Sequence, residues 1–194
     1  LVEFGVESDR IEVIPNGIKI HRPPVLAPFS HDLVALARHD MNKNLPALFR
    51  GIDQLQRQWP QWCGTLRIIG RGGRQTSLLQ RLHKSLPRPK QVELINALPQ
   101  AELMALVRTS MALLSASTEE GFDYPVLEAK AEGIPTLISD IPVHREFHSE
   151  GSLFFPVDDD GTVLARHVID LARDQTLWGL SLIHISEPTR PLEI

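Results

Sequence analysis

The sequence predicts an α/β fold, a Rossmann-like three-layer sandwich built on a six-stranded parallel sheet. Three observations carry that expectation. Six short apolar runs alternate with segments of helical period, the pattern of successive β–α units. The first run, Leu33-Val34-Ala35-Leu36-Ala37, is apolar throughout rather than at every second position. That is how a strand buried on both faces reads. Hydrophobic residues make up 42% of the 194 positions, enough to bury an ordinary core.

The elements follow in order. Residues 1–18 read as the end of a truncated preceding domain. Phe4-Gly5 resembles a helix stop, Ile11 to Ile14 a short strand, and Pro15-Asn16-Gly17 a turn. Residues 19–31 hold Pro23, Pro24 and Pro28 without any period and read as a linker. The α/β domain then spans 32–179. Its first strand is followed by a helix from about Leu45 to Trp59, with Asn44 as N-cap and Pro46 in the first turn. Leu45, Leu48, Phe49, Ile52 and Leu55 give that helix one apolar face. Further strands are expected at 65–69, 92–95, 111–114, 135–138 and 153–155. Helices are expected at 76–86, 99–108, 125–132, 142–147 and 162–178. Asp160 is expected to cap the last of them, rather than to join Asp158 and Asp159 in a metal site. Residues 180–194 break the pattern. Leu180-Ser181-Leu182-Ile183-His184-Ile185-Ser186-Glu187-Pro188-Thr189-Arg190 resembles the translation of a sequencing adaptor, so this stretch is expected to be a non-native tail.

Charge and cysteine content narrow the function. A net charge of −4 carries no basic footprint for nucleic acid. The one cysteine, Cys63, allows no intrachain disulfide, and the default is a reducing, cytoplasmic compartment. The eight histidines show no metal-ligand spacing, so no metal is expected.

In a parallel sheet, ligands bind beyond the carboxyl ends of the strands. The loop after the first strand holds Arg38 and Lys43, two cations able to grip a diphosphate or simply to face solvent. After the second comes Gly70-Arg71-Gly72-Gly73. It lacks the sixth-position glycine of a dinucleotide fingerprint, where Gln75 stands. It reads either as a close backbone approach to a ligand or as a tight turn. The loop after the fourth strand leads into Glu120-Gly121-Phe122-Asp123-Tyr124-Pro125-Val126-Leu127-Glu128. Glu120 falls in the loop and Glu128 in the first turn of a helix opened by Pro125. Carboxylates so placed suit acid/base work or a metal, the hydroxyls of a sugar and a ribose, or simply a surface loop and a helix start whose dipole one of them complements.

Taken together, these residues resemble the C-terminal, donor-binding domain of the family four retaining glycosyltransferases of GT-B fold. The resemblance covers roughly residues 10–178. It rests on Val13-Ile14-Pro15-Asn16-Gly17-Ile18, Arg38, Lys43-Asn44, Gly70-x-Gly72, Glu120-x7-Glu128, Gly133-Ile134-Pro135 and Ser139-Asp140-Ile141-Pro142. It implies a six-stranded sheet forming the C-terminal half of the GT-B fold. It implies a nucleotide-diphosphate sugar as donor and transfer to an acceptor hydroxyl with retained configuration, without metal or cofactor. Arg38 and Lys43 would neutralise the diphosphate, and Glu120 would hold hydroxyls of the transferred sugar. Amides of Gly121 and Phe122 would approach the sugar and phosphate, and Glu128 would hold the ribose. Loops at Gly70, Gly72 and Asn96 would shape the nucleoside pocket. The acceptor (a sugar, glycan or lipid-linked carrier) would be bound by an N-terminal domain, with room for peripheral membrane contact by the full protein. The fragment alone would then be inactive. Two positions depart from the family pattern. Ala37 replaces a usual glycine, and Asp123 stands where glycine is common, either altering sugar contacts or pointing to solvent. A sugar-nucleotide epimerase of the same fold and a non-catalytic nucleotide-binding module remain alternatives.

Overall fold

The computed structural model of the chain describes residues 5, 7–12, 17–18 and 30–174. Residues 19–29 of the expected 19–31 linker, the second half of the expected 11–14 strand and everything from residue 175 lie outside the described residues. Ser8–Arg10 form one 3-10 turn, and Ile11 and Glu12 belong to no regular element.

Six four-residue strands form the sheet: β1 (Leu33–Leu36), β2 (Leu66–Ile69), β3 (Val92–Ile95), β4 (Ala112–Ser115), β5 (Thr136–Ser139) and β6 (Ser152–Phe155). Six helices follow them in turn: α1 (Leu45–Gln58), α2 (Thr76–Ser85), α3 (Gln100–Arg108), α4 (Tyr124–Ala131), α5 (Pro142–His148) and α6 (Thr162–Arg173). Every pairing is parallel and the order is β3-β2-β1-β4-β5-β6. The chain starts at the centre, builds outward through β3, then crosses back to β4. The loops after β1 and β4 therefore diverge, and a crevice opens between them.

Alternate strand residues face two separate cores. Leu33, Ala35, Leu66, Ile68, Ala112, Leu114 and Leu137 pack with α1, α2 and α6. Val34, Ile69, Leu113 and Ile138 pack with residues of α3 and α4. This is why β1 reads as a continuous apolar run: neither of its faces is solvated. Leu33, Val34, Leu66 and Leu113 are fully buried, each contributing about 1.5–3 kcal/mol. Among the described residues, no helix is long and apolar enough to cross a membrane.

Four local expectations need correction. Asn44 sits at the start of α1, but its side chain caps nothing; with φ at 44° its Nδ2 donates instead to the Val157 carbonyl at 3.2 Å. Asp160 bonds the Thr162 amide, yet the deeper cap of α6 is Asp159, which accepts from the amides of both Val163 and Leu164. Helix α6 ends at Arg173 rather than near 178. Helix α4 begins at Tyr124 and has no acidic residue in its first turn, so Glu128 lies in the second.

Candidate functional site

The crevice at the carboxyl ends of β1, β2 and β3 is an open cavity of about 580 Å³. Arg38, Lys43, Gly70, Arg71 and Gly72 line it, together with Ala97, Leu98 and Leu103. Arg38 leaves the end of β1 with its side chain 67% exposed and lies 3.3 Å from Asp40. Arg71 is exposed as well.

The glycines serve backbone packing. A methyl group at Gly70 would lie 2.0 Å from the Ala37 carbonyl oxygen, and one at Gly73 would lie 2.7 Å from that of His39. Gly70 lets β2 run close beside the β1 exit, where the Ala37 amide donates to Ile69. None of Gly70, Gly72 or Gly73 takes a positive φ. The loop forms a tight turn, and Gly70 and Gly72 also line the cavity. His39 is buried beneath it, its Nδ1 3.0 Å from Thr76 Oγ1, and burial lowers its pKa against the pull of Asp40.

The β4–α4 loop is built differently. Lys43 Nζ crosses from the β1 side and forms an ion pair with Glu120 Oε1. Ser117 Oγ donates to the same oxygen at 2.6 Å. The Thr118 amide donates to the Asn42 carbonyl at 2.8 Å, which ties the two loops together. Phe122 turns its ring inward, packing on Tyr124, Phe147 and His148. Only its backbone could face a ligand. Gly121 is exposed, and a methyl group there would meet open space.

Asp123 neither touches the cleft nor points to solvent. It holds a left-handed φ of 64° and buries its carboxylate to 3% exposure. Oδ2 accepts from Ser115 Oγ at 2.5 Å and from His144 Nε2 at 3.0 Å. Burial pushes the Asp123 carboxyl up, but these two hydrogen bonds and the charges of His144 and Lys43 outweigh it and hold the group below its usual range. Left-handed backbone is tolerated by aspartate better than by most residues. That is how Asp123 occupies a position suited to glycine.

The structure thus gathers Arg38, Lys43, Gly70 and Gly72 around one cleft and ties Glu120 to it through Lys43. Asn96, Gly121, Phe122 and Glu128 do not line that cavity. Asn96 is exposed and its Oδ1 accepts from the Ala97 amide at 2.9 Å, while its neighbours Ala97 and Leu98 form the wall. Glu128 is half-buried, and burial alone raises its carboxyl pKa. Among the described residues its carboxylate has no partner. Sequence reasoning missed Arg71, although it sits inside the glycine loop. It also missed Ser117, Ser139, His144 and His148, whose contacts with the β4–α4 loop span up to 26 positions. The Ser139-Asp140-Ile141-Pro142 motif was the available signal. Among the described residues, no group of three His, Cys, Asp or Glu side chains is gathered as a metal site needs.

Comparison with protein families matches residues 21–179 to "Glycosyl transferases group 1". The chain belongs to this family. The O-antigen chain mannosyltransferase RfbU of Salmonella typhimurium is 26% identical over 157 residues, covering 81% of this chain and 43% of RfbU. The GDP-mannose:cellobiosyl-diphosphopolyprenol alpha-mannosyltransferase of Xanthomonas oryzae pv. oryzae is 25% identical over 176 residues, covering 88% of this chain and 43% of that enzyme. This group 1 domain therefore spans less than half the length of these curated relatives. Among solved structures, the C-terminal domain of a glycosyl transferase group 1 family protein (LpcC) from Francisella tularensis superimposes with a TM-score of 0.68. Identity there is 18%, with 84% of each chain covered, so the likeness speaks for the fold. The group 1 domain thus has the GT-B, Rossmann-like architecture expected for a glycosyltransferase.

Proposed function

We propose that this domain binds the nucleotide-diphosphate sugar of a metal-independent, retaining hexosyltransferase. The observation that carries the reading is the cation arrangement. Arg38, Lys43 and Arg71 line one cleft, and Lys43 already pairs with Glu120 of the β4–α4 loop. Departure of a nucleoside diphosphate concentrates negative charge on the leaving phosphate. Fixed cations, helped by the amides at the start of α4, stabilise that charge where a metal would otherwise be needed. Glu120, held by Ser117 and Lys43, offers its remaining acceptor capacity to hydroxyls of the transferred sugar. Glu128, unpaired and half-buried, suits ribose hydroxyls. As the bond from the anomeric carbon to the diphosphate breaks, the sugar becomes oxocarbenium-like, and an acceptor hydroxyl attacks from the face the diphosphate leaves and gives its proton to the departing phosphate oxygen, retaining configuration. A sugar, glycan or lipid-linked acceptor would be presented by a domain outside this chain.

RfbU and the Xanthomonas enzyme are mannosyltransferases by name, which makes GDP-mannose the first donor to test. Calorimetric titration of the chain with GDP-mannose, GDP, UDP-glucose and UDP, each with and without EDTA, tests the reading. The expected result is binding of at least one pair, unchanged by EDTA. Arg38→Ala and Glu128→Ala should each weaken it by about ten-fold, the factor given by 1.4 kcal/mol. Binding that neither substitution alters overturns the assignment.

A further inference from the structure

The segment 139–148, running from the end of β5 through α5, grips the β4–α4 loop from beneath at three points. Ser139 Oγ donates to the Ser117 carbonyl at 2.5 Å. His144 Nε2 lies 3.0 Å from the Asp123 carboxylate, and its Nδ1 lies 2.7 Å from the Ser139 carbonyl. His148 Nε2 donates to the Phe122 carbonyl at 2.6 Å. The return grip comes from α4: Lys130 Nζ donates to the carbonyls of His148 and Glu150 at 2.8 and 2.5 Å. None of these side chains lines the cleft.

His144 bridges two oxygen groups: the Ser139 carbonyl and hydroxyl lie at Nδ1, at 2.7 and 3.4 Å, and the Asp123 carboxylate lies at Nε2. The His144 and Asp123 side chains are 0% and 3% exposed, so the pair is fully withdrawn from water. Asp123 also holds a positive φ, a strained choice for a residue with a side chain that persists only where surrounding contacts over-determine it.

Two routes lead from this pair to Glu120. One passes through Ser139 Oγ, the Ser117 carbonyl and Ser117 Oγ, which donates to Glu120 Oε1 at 2.6 Å. The other runs along the backbone from Asp123 through Phe122 and Gly121. No contact of the pair reaches Arg38, Arg71 or Glu128 directly. We propose that Asp123 and His144, with Ser139, are positioning residues that set Glu120 and the Gly121 backbone against the transferred sugar, leaving the grip on the nucleoside diphosphate to the opposite wall. The inference rests on the donor-binding reading above. It adds that the aspartate in a position suited to glycine and the α5 histidine act as one unit, and that the unit governs the sugar end of the site.

The test compares two ligands on one protein. The 194-residue chain and its variants His144→Ala, Asp123→Asn and Asp123→Asn/His144→Ala are titrated with GDP-mannose and GDP, or with whichever matched pair the parent binds. His144→Ala should lower affinity for the nucleotide sugar by about ten-fold and for the nucleoside diphosphate by less than about two-fold, one decade being 1.4 kcal/mol. The double variant should lose less than the sum of the two single losses, because both single changes break the same pair. A merely structural role would weaken both ligands alike. Should His144→Ala fail to fold, Asp123→Asn carries the test, since asparagine keeps the size and tolerates the same backbone. Equal losses for the two ligands, or no loss in a folded variant, overturn the inference. A parent chain that binds the diphosphate but gains nothing from the sugar overturns it while leaving the nucleotide site standing. A parent that binds neither overturns both.

Discussion

On the β1–β2 side of the cleft, Arg38 and Arg71 stand exposed, and Arg38 pairs with Asp40 at 3.3 Å. On the β4 side, Glu120, Asp123, Ser117 and Phe122 are each held by at least one partner from another element. The first wall has charge to offer and the second has shape. A ligand meeting the first wall satisfies groups that water satisfies now. A ligand meeting the second finds a surface already fixed by the fold. Preorganisation of this kind stabilises developing charge without reorganisation at the moment of reaction. The two walls also meet: Lys43 springs from the open one and ends on Glu120 of the closed one.

The largest effect should come from breaking the closed wall at its centre. His144→Leu leaves the Asp123 carboxylate buried with Ser115 as its main remaining donor, and cutting one partner from a buried pair costs about 3–5 kcal/mol. Urea unfolding followed by circular dichroism measures this. Arg38→Leu on the open wall, where the ion pair is solvated, should change stability by about 0.5 kcal/mol or less. Similar losses at the two sites would erase the distinction between the walls.

The closed wall also carries a cost of its own. Burial lowers the pKa of Lys130 to about 8, against an opposing effect of Glu150. Between pH 8 and its usual 10.5 the unfolded chain binds the Lys130 proton more tightly than the folded one. Stability therefore rises with pH through that window, by on the order of 1–3 kcal/mol. Asp123 runs the other way: its carboxyl is held low in the fold, so its contribution is present above the usual carboxylate range and is lost as pH falls through the lowered value. Unfolding followed across the alkaline window should show the rise in the parent and its absence in Lys130→Met. A flat parent profile would place the ammonium in water rather than under the loop.

What the sequence disclosed follows the same division. The central strand was legible because burial on both faces leaves nothing but apolar residues, as at Leu33–Leu36. The open wall was legible too: Arg38 and Lys43 were expected in the loop after β1, where they stand. The closed wall was not. The partners of Asp123 and Ser117 come from residues 139–144, which reach them only because β5 lies beside β4 in the sheet. No local pattern encodes that adjacency. Gly70 was read for ligand approach or turn formation, and its packing on the Ala37 carbonyl, a contact between two strands, is not written in the local sequence. Asn44 has the composition of a cap, but the Val157 carbonyl draws its amide away.

The finest comparison sets one glycine from each wall side by side. At Gly70 a methyl group would fall 2.0 Å from the Ala37 carbonyl, a backbone atom that cannot step aside. Gly70→Ala should therefore destabilise the chain by about 1–3 kcal/mol, the usual cost of overpacking, and weaken nucleotide binding only as folding is lost. At Gly121 the same methyl would meet nothing, and φ is not positive. Gly121→Ala should leave stability within about 0.5 kcal/mol of the parent, as surface substitutions do. Yet Gly121 lies between Glu120 and Phe122 on the face proposed to meet the sugar. A methyl group there would project into the space a bound hexose needs, so the nucleotide sugar should bind several-fold more weakly while the matching diphosphate binds unchanged. Thermal unfolding and paired titrations on Gly121→Ala separate these outcomes. A variant equal to the parent in stability and in both affinities would show that the exposed turn of the closed wall faces solvent rather than substrate.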